Sequence, residues 1–411
     1  MITQVRLPKS DHKAVPVLPR AVTELDRIVT LVVTTGSGSL DLYVQKLAEH
    51  LDVPKLFSDI YQGNTELFNI SFLSQRAAKA ARRDWRFTKL VNRLNGIVHL
   101  PNHHLGRYGV FLNRPYIITV HDLIRFLDLN GHSNHIHRPN FRDRLYLSLD
   151  YKGIKKATHV IAVSHTTECD LIQHLGIPEE RISVVYEGID HQLFRPVERK
   201  LLDYPYLLYV GTEQPRKNLV GLLRAFRKLK SQGNFKDLKL VKVGSAGGPE
   251  AEFRKETLRA IRELGLSGDV VFTGYVAEED LPAYYSGAEC FILPSFYEGF
   301  GFPPLEAMAC GCPVIVSNVA SLPEIVGEAA LLVDPNDSDN LAGAIEVVLT
   351  DDCLRRELVS KGLERASQFT WEKAAKETVK VYESVAQSLG IRRVPAEVLE
   401  SIAPAVGGEV N

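Results

Sequence analysis

Two short stretches of this 411-residue chain place charged side chains beside backbone that glycine and proline shape for binding. In residues 293–316, LPSFYEGFGFPPLEAMACGCPVIV, Glu298 and Glu306 stand eight positions apart, with Gly299, Gly301, Pro303 and Pro304 between them. Proline suits the first turn of a helix, where its missing N–H would have no partner anyway. Glu298 therefore precedes a helix, and Glu306 falls one to two turns inside it. The free N–H groups of that helix start and of the glycine loop, those of Phe300 and Gly301 among them, suit a phosphate or sugar oxygens. Two carboxylates so placed can address two separate hydroxyl-bearing parts of one ligand. The glutamate pair alone would fit an ordinary strand–helix junction; the glycines and prolines packed around it set this segment apart.

The second stretch is Gly211-Thr212-Glu213-Gln214-Pro215-Arg216-Lys217-Asn218. Adjacent cations can neutralise a diphosphate, Arg216 as a planar fork and Lys217 as a point charge. At a helix start such cations oppose the helix dipole, and an anion between them removes the conflict. His121-Asp122 follows the apolar run 116–120, which puts His121 at the carboxyl end of a strand, either as a reacting group or as half of a structural hydrogen-bonding pair. The turn with Gly36 and Gly38 follows another such run. His132, His135 and His137 have neither cysteine nor carboxylate close by to complete a zinc set, so a loop facing a second substrate, beside His103 and His104, is expected there instead.

The elements that must hold these residues repeat one pattern twice. Apolar runs at 28–33, 97–99, 116–120, 159–163 and 182–185 alternate with helical stretches. After a polar, proline-containing stretch the pattern restarts at 206–210, 238–243, 270–273, 290–293, 313–317 and 330–333. Continuous apolar runs of this kind suit parallel strands covered on both faces. Strand, glycine turn and helix open each half, as in a Rossmann-like domain, and ligands of such sheets bind beyond the strands' carboxyl ends. The expected organisation is an N-terminal domain over 1–190, a linker over 191–205, a C-terminal domain over 206–370, a helix over 371–393 that packs back toward the first domain, and a flexible tail over 394–411.

A net charge of −1 argues against a nucleic-acid partner held by overall charge. Five scattered cysteines show no metal spacing and read as reduced core residues. No apolar run approaches the length of a membrane span, and no signal-peptide pattern opens the chain. A cytoplasmic protein is expected. Arg76, Lys79, Arg82, Arg83 and Arg86, continued by Lys89 and Arg93, recur at helical spacing, with Phe87, Leu90, Val91 and Leu94 as an opposing stripe. That face is either solvated or a peripheral contact with the inner face of a membrane.

The segment 293–316 closely resembles the E-x7-E signature of family 4 glycosyltransferases, whose GT-B fold sets two Rossmann-like domains face to face across a cleft. Residues 211–222, 271–276 and 323–337 match in order and spacing, and 36–38, 119–122, 162–164 and 185–190 match more weakly. The resemblance implies that Glu306 accepts the two ribose hydroxyls of a nucleotide, and that Glu298, Phe300 and Gly301 face the donor sugar. Tyr275 and Val276 would edge the base. Gly36, Gly38, Arg216 and Lys217 would hold the diphosphate, and His121, Glu298 and Lys217 would stand at the reacting centre. Thr212 departs from the family, where many members carry arginine after the glycine, and Arg216 is expected to supply that charge. The implied reaction is a retaining transfer of a hexose, mannose or glucose foremost, from a UDP- or GDP-type nucleotide sugar to a glycan or lipid-linked acceptor, without metal or other cofactor. A sugar-nucleotide epimerase on the same architecture, or a silent nucleotide-sugar-binding subunit, stays open. A dinucleotide oxidoreductase fits less well, because the first turn lacks G-x-G-x-x-G.

Overall fold

The computed structural model describes residues 28–36, 39–58, 75–131, 141–199, 201–246 and 250–391. They form two six-stranded sheets with strand orders β2-β1-β3-β4-β5-β6 and β12-β11-β10-β7-β8-β9, parallel throughout. The first holds β1 (Val29–Thr34), β2 (Lys55–Ser58), β3 (Ile97–Leu100), β4 (Tyr116–Val120), β5 (His159–Ala162) and β6 (Ile182–Val184). The second holds β7 (Tyr206–Val210), β8 (Lys239–Val243), β9 (Val270–Gly274), β10 (Cys290–Leu293), β11 (Val314–Ser317) and β12 (Leu331–Val333). Central strands such as β4 and β10 are buried at every position, as residues covered on both faces must be. The one strand missing from the sequence reading is β2, an edge strand whose side chains alternate between exposed and half-buried. With one neighbour and one covered face it needs no apolar run, so none marks it.

Each parallel connection carries a helix back over the sheet, and every β–α loop therefore opens at the same end. Two loops matter most: the one after β7, leading to the Leu219–Ser231 helix, and the one after β10, leading to the Phe302–Ala309 helix. From the first sheet, β1 leads to the Ser39–His50 helix and β4 to His121.

The chain crosses between the sheets twice, side by side. Ile189 bridges Thr370, and an added Cβ on Gly188 would sit 2.3 Å from the Trp371 nitrogen, so only glycine lets the crossings meet. The Trp371–Ser388 helix then packs on the first domain, burying Trp371, Ala374, Ala375 and Tyr382 with Tyr43, Val44 and Leu47. Cys290, Cys310 and Cys312 are buried, whereas Cys169 and Cys353 are exposed, so two of the five are not core residues. The tail 394–411 lies outside the described residues.

Candidate active site

The helix after β1 and the segments after β4, β6, β7, β9 and β10 converge on a cavity of about 410 Å³, lined by both domains. Its C-terminal wall carries Arg216, Lys217, Glu298, Phe300, Gly301 and Glu306; its N-terminal wall carries Tyr43, Lys46, His121, Asp122 and Glu187. The walls touch at Gly299, where an added Cβ would lie 2.0 Å from the His121 carbonyl oxygen. Ser164 Oγ, at the start of the His165–Leu175 helix, donates to the Gly299 oxygen at 2.6 Å. Glu324 accepts from the main-chain nitrogens of His165 and Thr166 at 3.0 and 3.1 Å, so a carboxylate of one domain meets the helix start of the other.

The cations do not sit on the helix start itself. Pro215–Lys217 forms a 3-10 turn, and Asn218, in the left-handed region at φ 53°, caps the following helix by accepting from the Gly221 nitrogen at 3.2 Å. The cations thus stand just before the cap and not in the helix's first turn. Both charges turn instead to Glu298: Arg216 reaches Oε2 at 2.8 Å and Lys217 reaches Oε1 at 2.8 Å. Ser295 Oγ donates to Oε1 at 2.7 Å. Burial alone would raise the Glu298 carboxyl, but Arg216 and Lys217 reverse this and hold it at about 2. Burial also draws Lys217 below its usual value, with Glu298 pulling the other way.

Gly301, at φ 131°, turns the chain into the Phe302–Ala309 helix, with prolines in the first turn. Ser321 Oγ fixes the approach by donating to the main-chain oxygens of Glu298 and Phe300 at 2.9 and 2.5 Å. Glu306, one turn in, accepts from Tyr285 Oη at 2.7 Å. Burial, with Glu278 adding to it, pushes this carboxyl up to about 7. Glu306 therefore holds its proton to higher pH than an ordinary glutamate.

On the opposite wall, His121 Nδ1 lies 2.7 Å from Glu187 Oε1 and Nε2 lies 3.0 Å from the Pro101 oxygen, with the Tyr43 ring against it at 4.6 Å. Lys46 meets Asp190 at 3.0 Å. Gly36 does not line the cavity; an added Cβ there would strike the buried Asp41 carboxylate at 2.1 Å. Gly38, His132, His135 and His137 lie outside the described residues. Tyr275 is exposed, and neither it nor Val276 lines the cavity; Glu278 and Leu281 from the next turns do.

The sequence reading missed Glu187, Ser295, Tyr285, Lys46 and Glu278. Ser295 lies within the richest motif and Glu187 within a weakly matching one, so both carried some signal. Tyr285 carried none, because only folding brings it to Glu306. Along the Gln75–Val91 helix, Arg82, Arg86 and Lys89 are exposed, while the side chains of Arg76 and Lys79 lie outside the described ones. Phe87 and Val91 are buried, but Leu90 is exposed and leaves the apolar stripe. Among the described residues, no helix is long and apolar enough to cross a membrane, and no group of three or more His, Cys, Asp or Glu is placed to hold a metal ion.

Comparison with known proteins matches residues 29–193 to the family described as Glycosyltransferase Family 4 and residues 190–365 to that described as Glycosyl transferases group 1. The chain is 35% identical to the O-antigen chain mannosyltransferase B of Escherichia coli, over 70% of this chain and 74% of that protein. It is 29% identical to the serotype-specific mannosyltransferase WbdA of Escherichia coli, over 76% of this chain but only 39% of that longer protein. Among solved structures, a sucrose-phosphate synthase from Thermosynechococcus elongatus superposes with a TM-score of 0.70 at 24% identity, covering 88% of this chain and 100% of that one. Anabaena HepE, in complex with UDP and glucose, does so with a TM-score of 0.70 at 19% identity, covering 87% and 99%. These two likenesses concern the fold.

Proposed function

Because the chain belongs to glycosyltransferase family 4 and has the GT-B fold, we propose that it transfers a hexose, mannose foremost and glucose next, from a nucleoside-diphosphate sugar to a hydroxyl of a glycan or lipid-linked acceptor, with retention of configuration. The mannosyltransferase relatives support mannose and a role in surface polysaccharide. The observation that carries the reading is the buried Arg216–Lys217–Glu298 cluster on the cavity wall.

Two cations share one carboxylate there, which leaves one net positive charge toward the cavity. Breaking the sugar–phosphate bond puts negative charge on the departing diphosphate, and fixed cations in a site shielded from water stabilise it as it forms. In this reading Arg216 and Lys217 meet the diphosphate, and the reaction needs no metal. Glu298 stays within reach of the hexose hydroxyls, with Phe300 and Gly301 beside them. Glu306 takes the ribose hydroxyls once it gives up its proton. Glu278, which lines the cavity, lies toward the base. The acceptor enters along the N-terminal wall, by His103 and His104. The exposed Arg82 and Arg86, together with Arg76, Lys79 and Arg83, provide a peripheral contact with the cytoplasmic face of a membrane; flotation with phosphatidylglycerol vesicles, lost on charge reversal, checks it.

A thermal-shift panel of UDP, GDP and ADP identifies the nucleotide, since a bound ligand stabilises the folded state by mass action. GDP-mannose and UDP-glucose are then tested with and without a lipid-linked glycan extract. Nucleotide release that rises with the extract supports transfer. An epimerised donor without acceptor, or binding without turnover, would overturn it.

A further inference from the structure

Three histidines are buried at or behind the N-terminal wall, and their partners differ. His99 meets the hydroxyls of Tyr382 and Thr119 at 2.6 and 2.8 Å, groups that either donate or accept. His103 accepts at Nδ1 from the His121 nitrogen at 3.3 Å. His121 alone has an acceptor at each ring nitrogen, the Glu187 carboxylate and the Pro101 carbonyl. Neither can donate, so the ring bonds to both only by carrying a proton on each nitrogen.

We propose that Glu187 is a positioning residue that holds His121 as an imidazolium, so that the ring serves the cleft as a fixed positive charge and not as a proton acceptor. Both side chains are buried, 8% and 2% exposed, which leaves little water to replace either partner. Burial strips His99 and His103 of their protons. It acts the same way on His121, but the Glu187 carboxylate, helped by Pro101 and Asp122, outweighs it and raises that ring. The other groups packed around it are Tyr43, which is uncharged and raised by burial, and His103, which is neutral. Across the cavity, Arg216, Lys217 and Glu298 are already paired with one another. If the donor binds as proposed above, the imidazolium faces the diphosphate from the domain opposite Arg216 and Lys217, and closing the cleft brings positive charge to it from both sides.

Nitrogen-15 NMR of histidine-labelled protein reads the ring directly, with His121 assigned by its loss in His121→Gln. The expected wild-type spectrum shows both His121 nitrogens protonated at pH 7. Glu187→Gln should lose one proton at least one pH unit lower, and Glu187→Asp should retain it. The functional readout is turnover of GDP-mannose and UDP-glucose between pH 6 and 8. Relative to wild type, Glu187→Gln turnover should fall as pH rises from 6 to 8, and Glu187→Asp should recover most of it. A wild-type ring with one bare nitrogen at pH 7 would overturn the proposal, as would a Glu187→Gln defect equal at both pH values. If Glu187→Gln does not fold, the wild-type and Glu187→Asp spectra still decide. If neither donor is turned over, the donor assignment fails while the spectrum still tests the ring.

Discussion

The two ends of the segment from Glu298 to Glu306 share one cavity, the first buried and the second half-buried, yet their carboxyls behave oppositely. Glu298 at the loop end is held at about 2, and Glu306 at the helix end is pushed up to about 7. Desolvation acts upward on both. The difference lies in what folding brings against them: two cations and a serine hydroxyl for Glu298, one tyrosine hydroxyl and a second carboxylate for Glu306. The loop end is built around charge and suits a departing diphosphate. The helix end suits hydroxyl groups, and a ligand there must also displace a proton.

Breaking the loop end should have the largest effect. Glu298→Gln leaves a buried lysine and a half-buried arginine without their counter-ion, which costs about 3–5 kcal/mol of stability; thermal unfolding measures it, and added GDP or UDP should restore part of the loss. In the wild type the same interaction contributes stability above the ordinary glutamate value of 4.5 and loses it as pH falls toward about 2. Lys217→Ala removes one charge-assisted contact of about 1.5–3 kcal/mol, so donor turnover should drop roughly ten- to 150-fold with the fold intact, and wild-type turnover would contradict the diphosphate assignment.

The helix end responds to pH in the opposite sense. Between 4.5 and about 7 the folded protein holds the Glu306 proton that the free carboxyl would release. Affinity for a nucleotide sugar should therefore rise with pH, by at most about tenfold per unit, and level off above 7. Calorimetry across pH 5.5–8 checks it, and Glu306→Gln should flatten the curve. The smallest expected effect is that of EDTA: turnover should not change if, as proposed, Arg216 and Lys217 provide the countercharge.

How far the sequence disclosed this arrangement follows from where partners lie along the chain. The C-terminal wall was legible because β10, its loop and its helix are contiguous, so Glu298, Gly301 and Glu306 appear as one motif. Strands such as 116–120, 206–210 and 290–293 were equally plain, since full burial on two faces demands unbroken apolar runs. The edge strand β2 lacked that demand. Glu187 lay in a segment that matched only weakly, and its partner, His121, lies 66 residues earlier and meets it only through the strand order β4-β5-β6. Arg216 and Lys217 were found as cations suited to a phosphate, but their attachment to Glu298 spans 82 residues for Arg216 and was not visible.

The central claim is that the loop end meets the diphosphate and sugar while the helix end meets the ribose, and calorimetry of GDP and UDP with wild type, Glu298→Gln and Glu306→Gln tests it most directly. Free nucleotide carries a ribose but no hexose. Glu306→Gln should weaken the preferred nucleotide about tenfold or more, the scale of one hydrogen bond to a charged group. Glu298→Gln, which frees Arg216 and Lys217 for the diphosphate, should bind it at least as tightly as wild type. Loss of nucleotide binding in Glu298→Gln, with Glu306→Gln unaffected, would contradict the account.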